Sequence, residues 1–571
     1  MVYSCLVDAD YLCTERFIQA EGRAHPHTKG MSELRDMLEE HLSSFYPPSN
    51  TINAVRCGVL DDCLKASKLA PGVFSLTVPT GGGKTYALMR FALNHATATG
   101  HEFRKVICAE PYTSIIEQNA EVYRKVFGED QVLEHHSNYE FKDMGDRKQN
   151  TMRLAAENWD RPLVITTNVQ LFESLFANKP SQCRKLHNIA QSVIVLDEAQ
   201  MIPTQYMEPC VRALCELVKH YGCTVVLCTA TQPALNNYFL DQGLVVQEIA
   251  SNPSGLVEQL RRVTYKSLGQ IGDEELIHKI LENDQALCIV NSRKQARALY
   301  DMALSRGLMN QAALFHLSTL MYPKHRSRII ETVRKRISDG RPCVVFATSL
   351  VEAGVDLDFG TVYRAIAGID SMVQAAGRCN REMRNDVRDS CVYLFEPNPA
   401  YAVPAEVRQC ASVTTSDIPD LYKPGELPSI DDLSTVEGYF GHLYSYRCLD
   451  GKGILKRLQQ PGFSSGIVSI PFAKVAAEFR LIEEGASTVI VPTEQNSRDI
   501  DLALQREATR ATMRRLSHYG VGVYDSDRDA LLRAGAIEAV GENVFILSDS
   551  SRYTDDVGLN LYVKGGEAVF L

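Results

Sequence analysis

TVPTGGGKTYALM, residues 77–89, joins the apolar run FSLTV to an apolar helical sequence through three consecutive glycines and a Lys-Thr pair. A strand, a glycine turn and a helix in that order aim backbone N–H groups at one point, a geometry that wraps phosphate oxygens. Thr80, Gly81, Gly82 and Gly83 would form the turn, Lys84 would reach the β- and γ-phosphates, and Thr85 would ligate Mg²⁺. Val78 stands where the strict phosphate-loop spacing has its first glycine. The string alone says nucleotide without saying whether it serves a kinase, a switch or a motor.

A second string narrows this. VIVLDEAQ, residues 193–200, is an apolar run that ends in paired carboxylates. Phosphoryl transfer needs positioning and charge neutralisation above all, so Asp197 would hold the Mg²⁺ opposite Thr85 and Glu198 would orient and deprotonate the attacking water. The two strings together predict a lobe that hydrolyses a nucleoside triphosphate. The base-reading element is expected within NAVRCGVLDDCL, where Asn53 and Arg56 are the candidates and base preference stays open.

Around these strings, apolar β-rich runs alternate with helical stretches: GVFSLTV, RKVICAEP, PLVITT, SVIVLDEA and CTVVLCTAT, then, after SNPSGL, ALCIVNS, AALFHLS, PCVVFATS, TVYRAIA and CVYLFEP. Strands ending in polar residues, each followed by a helix, predict an α/β fold of two tandem lobes with parallel sheets. The expected boundaries are a helical N-terminal segment and linker over 1–45, a first, nucleotide-binding lobe over 46–248, a second lobe over 249–400, a Pro- and Asp-rich linker over 401–450 and a small α+β domain over 451–571. The 571 residues are 45% hydrophobic, with sixteen scattered cysteines and no CxxC pair, which fits a reducing cytoplasm better than a disulfide framework. No apolar run approaches the roughly 18 residues of a membrane helix, so no membrane is expected. A net charge of −10 means that any nucleic acid must be held by local grooves rather than by global attraction.

Several strings resemble the motifs of superfamily-two helicases, in that family's order and with its two RecA-like lobes. Thr229 and Thr231, in the Thr-Ala-Thr that ends CTVVLCTAT, resemble the hydroxyl-rich link that couples hydrolysis to lobe motion; Gln200 stands where related helicases carry a coupling His. Pro111, Tyr112, Thr113 and Ser114 follow VICAE, and Thr166 and Thr167 follow PLVI, where such helicases bond the phosphates of a single strand. In QAAGRCNRE, residues 374–382, Gln374 is expected at the nucleotide, and Arg378 and Arg381 are expected on one helical face, reaching the γ-phosphate as arginine fingers. In ATSLVEAGVDLD, residues 347–358, Thr348 resembles a strand contact and Glu352 a coupling residue, while Gly354 and Asp356 would approach the nucleotide or its ribose. Asn291 and Ser292 of IVNSRKQA are further phosphate contacts. The basic segment KHRSRIIETVRKRISDGR, residues 324–341, reads as a solvated helix face.

FSLTVPTGGGKTYALMRFALNHA, CAEPYTSIIEQNAEVYRKVFG, LEHHS, IVLDEAQMIP, CTATQPAL, LVEAGVDLDF, FAKVAAEFRLIEEGASTVIVP and GLNLYVKG resemble the CRISPR-associated nuclease-helicase of type I systems, most closely its subtype I-C branch. The resemblance implies an ATP- and Mg²⁺-dependent helicase that translocates 3′ to 5′ on single-stranded DNA, recruited to displaced R-loop DNA by the crRNA-guided surveillance complex (Cascade). It also implies an HD domain, cutting DNA with divalent transition metal, ahead of the helicase. Here MVYSCLVDADYLCTERF resembles only the last helix of such a domain, with Asp10 at its final ligand, and one carboxylate cannot hold a dinuclear site. His25 and His27 sit in no matching motif, and His135 and His136 of LEHHS are expected to shape a DNA-side loop. The expectation is a chain without nuclease activity of its own, with the HD part on a separate chain, left untranslated or truncated. The apolar face of the first helix (Tyr3, Leu6, Val7, Tyr11, Leu12) would dock on the helicase or on that HD piece. Another superfamily-two motor, on RNA or in restriction, and a catalytically silent scaffold joining the surveillance complex to a nuclease are the alternatives. The intact Lys84, Asp197, Glu198, Arg378 and Arg381 weigh against the scaffold.

Overall fold

The computed structural model describes residues 1–18, 28–136, 146–229, 235–307, 309–460, 462–464, 467–481 and 486–561. His25, His27 and Thr231 lie outside the described residues. The chain divides into two compact units, Met1–Arg261 with Asp431–Ile482, and Arg262–Ile430 with Glu483–Leu571. Neither the expected linker over 401–450 nor the expected C-terminal domain over 451–571 is therefore a single piece. Among the described residues no helix is long and apolar enough to cross a membrane.

The first unit is built on seven strands, β1 (Val73–Thr77), β2 (Lys105–Glu110), β3 (Val132–His135), β4 (Leu163–Thr167), β5 (Ser192–Leu196), β6 (Thr224–Thr229) and β7 (Val246–Glu248). They lie in the order β3-β4-β2-β5-β6-β1-β7, with every pair parallel. β1, β2, β4, β5 and β6 are buried along their whole length, which is why they read as continuous apolar runs rather than alternating ones. Because the strands are parallel and in register, with Thr77 opposite Thr229 and Glu110 opposite Thr167, their polar C-terminal residues gather along one edge of the sheet.

The first five helices of this unit are α1 (Val2–Ile18), α2 (Met31–Ser43), α3 (Thr51–Ala66), α4 (Lys84–Ala96) and α5 (Thr113–Phe127). α2 buries Leu34, Leu38 and Leu42, one face at four-residue spacing, in the same core as Phe74, Leu88 and Phe91. Residues 31–43 thus belong to the first lobe and not to a preceding segment. α1 docks through its polar side: Ser4 Oγ donates to the Cys183 carbonyl at 2.6 Å, and Asp8 pairs with Arg184 at 2.8 Å. Of the apolar residues on its other face, Tyr3, Leu6 and Tyr11 are exposed and Val7 and Leu12 half-buried. Arg184 is buried and pairs with Glu157 as well as Asp8, so charge neutralisation rather than apolar burial holds α1 on the first unit.

α4 is tied to the sheet at its far end by His95, which is fully buried. Its Nδ1 bonds the Ser67 carbonyl and its Nε2 the Thr224 hydroxyl, both at 2.9 Å, an arrangement that suits the neutral ring. Burial, helped by His101 and opposed by the Ser67 carbonyl, lowers its pKa to about 4. A His depressed on folding stabilises the fold above its unfolded value near 6.5 and loses that contribution as pH falls toward 4. Acidification over this window is expected to cost the first unit about 3 kcal/mol. Urea titrations at a series of pH values check this, and His95→Gln should flatten the slope.

The second unit repeats the plan with β8 (Thr264–Gln270), β9 (Gln285–Ile289), β10 (Leu314–Leu317), β11 (Cys343–Ala347), β12 (Thr361–Ala365), β13 (Cys391–Glu396) and β14 (Gly425–Leu427). The order is β10-β11-β9-β12-β13-β8-β14, parallel except for β14 at the edge. The segment expected as a linker supplies both the helix Ala405–Asp417 and β14. A four-stranded sheet of residues 486–490, 520–524, 537–539 and 544–547 completes the unit, sharing a core with Tyr322 and Leu559. Residues 433–445 and 472–478 are helices of the first unit, where Phe479 stacks on Phe176 with ring centroids 4.1 Å apart.

Candidate functional site

The loop between β1 and α4 is fixed by its glycines. Gly81 and Gly83 adopt φ of 84° and 85°, a region that glycine enters without the Cβ penalty. A Cβ on Gly82 would lie 2.4 Å from Cγ1 of Val78. The valine that breaks the strict spacing thus packs beneath the loop and leaves room only for glycine above it. Arg56 braces the turn from α3, its Nε donating to the Gly81 carbonyl at 2.9 Å, and α4 begins at Lys84.

Lys84 Nζ lies 3.1 Å from Glu198 Oε1, Gln200 Nε2 donates to Glu198 Oε2 at 2.5 Å, and Thr229 Oγ1 donates to Gln200 Oε1 at 2.6 Å. This polar chain runs from the phosphate loop, through the paired carboxylates, to the end of β6. Glu198 holds the left-handed conformation, φ 48° and ψ 53°, a strained setting for a non-glycine residue that occurs chiefly at functional sites. Burial opposes the ammonium charge of Lys84, and the Glu198 and Asp197 carboxylates outweigh it, so its pKa stands above the usual lysine value. Burial and then Glu198 raise Asp197, against the pull of Lys84.

Two residues missed in the sequence complete this corner. Thr85 Oγ1 donates to Asn119 Oδ1 at 3.1 Å, and Asn119 Nδ2 donates to Glu110 Oε1 at 2.8 Å. Burial, then the charge of Asp197, holds the Glu110 carboxyl well above the ordinary carboxylate range. In its protonated form Oε2, which meets no donor, becomes a donor itself. The only sequence signal was a carboxylate at the end of an otherwise apolar strand, CAE.

The donor set fits Mg²⁺. That ion takes few protein ligands beside phosphate oxygens and water, and Thr85 Oγ1 with the Asp197 carboxylate is such a set. Glu110, Asp197 and Glu198 also crowd negative charge into a buried corner that a dication would neutralise. Among the described residues no group of three or more His, Cys, Asp or Glu forms a metal cage. Asp10, the expected residual HD ligand, is exposed on α1, and among the described residues it belongs to no such group. Beside Gly83 a cavity of about 410 Å³ is lined by Phe45, Asn53, Arg56 and Tyr86; both residues expected in the base-reading element reach it.

In the second unit the helix Ile369–Ala376 ends before Arg378. The two arginines therefore do not share a helical face as expected: Gly377 closes the helix, and the chain turns. Arg378 is buried and donates from Nε to the Val351 carbonyl at 2.9 Å and from Nη2 to that of Glu352. Arg381, its side chain 25% exposed, pairs with Asp356 at 3.0 Å. Gln374 is buried, with no partner for Nε2, and Gly354 has φ 70°. Glu352 pairs with buried Arg364 at 2.8 Å and accepts from Ser371 Oγ at 2.6 Å. Arg364 Nη1 in turn donates to Asn291 Oδ1 at 2.6 Å, while Asn291 Nδ2 bonds the Ile366 carbonyl at 2.8 Å. The Asn291 amide is thus committed inside the lobe, whereas the Ser292 side chain caps nothing.

Among the first unit's strand-contact candidates, Thr166 Oγ1 donates to the His135 carbonyl at 2.8 Å, and Thr167 Oγ1 caps the helix Asn168–Leu175. Tyr112 is exposed, and Thr113 opens α5 just after Pro111. His135, which ends β3, accepts from the Trp159 indole at 3.0 Å, and His136 is buried against Glu134 at 2.9 Å; residues 137–145, which follow them, lie outside the described residues. The basic helix Pro323–Ser338 buries His325, Ile329 and Val333 and turns its charges outward.

The DEAD/DEAH box helicase family matches residues 57–238, and the C-terminal family of CRISPR-associated nuclease/helicase Cas3 matches residues 282–384. A CRISPR-associated nuclease/helicase Cas3 of Haloferax volcanii is 25% identical over 468 residues, 61% of this chain and 50% of the relative. That of Methanothermobacter thermautotrophicus is 26% identical over 349 residues, 57% of this chain and 40% of the relative. The chain spans about half the length of the curated relatives it matches. The crystal structure of T. fusca Cas3-ATP has the same fold, with a TM-score of 0.64 at 16% identity over 92% of this chain and 70% of that one. A chain of a CRISPR RNA-guided surveillance complex, pre-nicking, aligns with a TM-score of 0.57 at 17% identity over 91% of this chain and 71% of that one. With a phosphate loop and Asp-Glu-Ala-Gln corner in the first unit, a second unit built on the same plan, and both matches in that order, the chain is similar to the CRISPR-associated Cas3 nuclease-helicases.

Proposed function

We propose that this chain is an ATP-hydrolysing motor that moves 3′ to 5′ along single-stranded DNA in a type I CRISPR system. The observation that carries the reading is the polar chain Lys84–Glu198–Gln200–Thr229, which ties phosphate contacts to the strand end where coupling to the second lobe is expected. A triphosphate reaching Lys84 competes with Glu198 for the ammonium; once displaced, Glu198 is left to accept a proton from water. Thr85 and Asp197 would hold Mg²⁺, which would neutralise charge at the phosphates. The cavity beside Gly83, lined by Tyr86 and Phe45, would take the base. Arg381 is the second unit's candidate for transition-state charge, because its guanidinium is partly exposed, and Arg378 positions the segment 351–352.

Recruitment to R-loop DNA by a crRNA-guided surveillance complex is supported by the fold shared with a chain of such a complex. DNA cleavage is assigned to an HD nuclease supplied outside these residues. ATP turnover measured with and without single-stranded DNA, and with RNA in its place, tests the reading. DNA is expected to raise turnover severalfold and RNA to leave it unchanged. Turnover indifferent to DNA sinks the motor, and stimulation by RNA alone moves the chain to the RNA-helicase alternative. Displacement of streptavidin from only one oligonucleotide end reads the direction.

A further inference from the structure

One helix holds Thr85 from two sides. The Thr85 hydroxyl donates to Asn119 Oδ1 at 3.1 Å, and the Thr85 main-chain carbonyl accepts from the Tyr123 hydroxyl at 3.0 Å. Asn119 and Tyr123 lie four residues apart on α5, so they reach Thr85 from one face of the helix, one turn apart. Both are buried, Tyr123 almost completely. Asn119 is fixed in turn by Glu110, the last residue of β2, whose Oε1 accepts from Nδ2 at 2.8 Å. An amide that spends its nitrogen on a carboxyl oxygen has an acceptor, and not a donor, to offer the threonine.

That orientation matters for a hydroxyl that is to ligate a cation. A threonine hydroxyl carries one hydrogen and two lone pairs, and only a lone pair binds a metal. With the hydrogen spent on Asn119, the lone pairs are left for Mg²⁺, and the Asp197 carboxylate is left for the ion as well instead of serving as the acceptor. Asn119 is neutral, so it does this without adding charge to a corner that already holds Glu110, Asp197 and Glu198. The bond to Glu110 alone would satisfy a structural tie between β2 and α5; the bond to Thr85 is the one that reaches the phosphate loop. Hydrogen-bond partners behind a metal ligand orient it in this way.

We propose that Asn119 is a positioning residue for the Mg²⁺–nucleotide site: it accepts the Thr85 hydrogen bond and so frees the hydroxyl's lone pairs for the ion, while Glu110 keeps its amide from turning over. The inference rests on the reading of this corner as an ATP site and adds a residue that acts through Thr85. Binding of a fluorescent ATP analogue to the full chain, titrated with MgCl₂ and repeated in EDTA, tests it without turnover. Asn119→Leu is expected to raise the half-saturating Mg²⁺ concentration about 10- to 100-fold while leaving affinity in EDTA unchanged. Asn119→Ala removes the same acceptor and takes its place if the leucine variant does not fold. Thr85→Ala should raise the same midpoint, and Asn119→Leu added to it should raise it no further, because the residue through which Asn119 acts is gone. Wild-type Mg²⁺ dependence in both Asn119 variants, an equal loss in EDTA, or full additivity with Thr85→Ala overturns the inference and leaves the ATP site standing. Nucleotide binding that ignores Mg²⁺ in the wild type and is unchanged by Thr85→Ala sinks the reading of the corner, and this inference with it.

Discussion

Glu198→Gln is expected to lower ATP turnover by about 10²- to 10⁴-fold, the contribution of a positioned general base, while ATP still binds. The amide is isosteric, so it keeps the left-handed backbone at 198 and a hydrogen bond to Gln200, but it accepts no proton from water. It also weakens the grip on Lys84, because a neutral oxygen replaces the carboxylate 3.1 Å from Nζ. ATP affinity should therefore hold or rise as turnover falls. Lys84→Ala separates the two roles: it removes the phosphate contact, so affinity and turnover fall together. Phosphate release at saturating ATP and titration with a fluorescent ATP analogue read the pair. A near-normal rate for Glu198→Gln would mean that another group takes the proton.

The nucleotide corner was legible because its chemistry is contiguous in sequence. Gly81 to Thr85 form a single turn, and Asp197 to Gln200 a second. What brings the turns together is parallel strand register, and that follows from which runs are apolar throughout. The residues that were not legible take their partners from distant elements. Nothing near Asn119 in sequence announces that it bridges Thr85 to Glu110, and Asn291 reads as a phosphate contact until Arg364 is seen to occupy it. Arg378 and Arg381 were placed on a helix because their spacing is helical, yet spacing carries no information about where Gly377 ends the turn. The domain boundaries misled for a related reason. Residues 433–445 and 472–478 are short helices with ordinary faces, and only tertiary packing, such as Phe479 on Phe176, assigns them to the first unit.

Arg364→Leu is expected to destabilise the second unit by about 3–5 kcal/mol, the loss that follows when one partner of a buried ion pair is removed. Arg364 and Glu352 are 1% and 7% exposed in their side chains, so solvent screens neither charge. The substitution leaves Glu352 with Ser371 alone and strips the Asn291 carbonyl of its donor. Burial already holds the Glu352 carboxyl above its ordinary pKa against the opposing pull of Arg364, and without the guanidinium it rises further. A carboxyl raised on folding loses stability as pH climbs from its unfolded value toward its folded one. The variant should therefore be hurt more at pH 8 than at pH 5. Adding Glu352→Gln removes the stranded charge while keeping an acceptor for Ser371, and should recover more than half of the loss at pH 8. Thermal midpoints of the four proteins of this cycle at both pH values decide the matter, with a drop of about 2–4 °C expected for each kcal/mol in a domain of this size. Equal losses at both pH values, with no recovery in the double variant, would show that Arg364 matters through its packing and not through its charge. Because Asn291 adjoins Ser292 at the start of the helix Arg293–Arg306, single-strand affinity should fall with stability in Arg364→Leu and return in part with the second substitution.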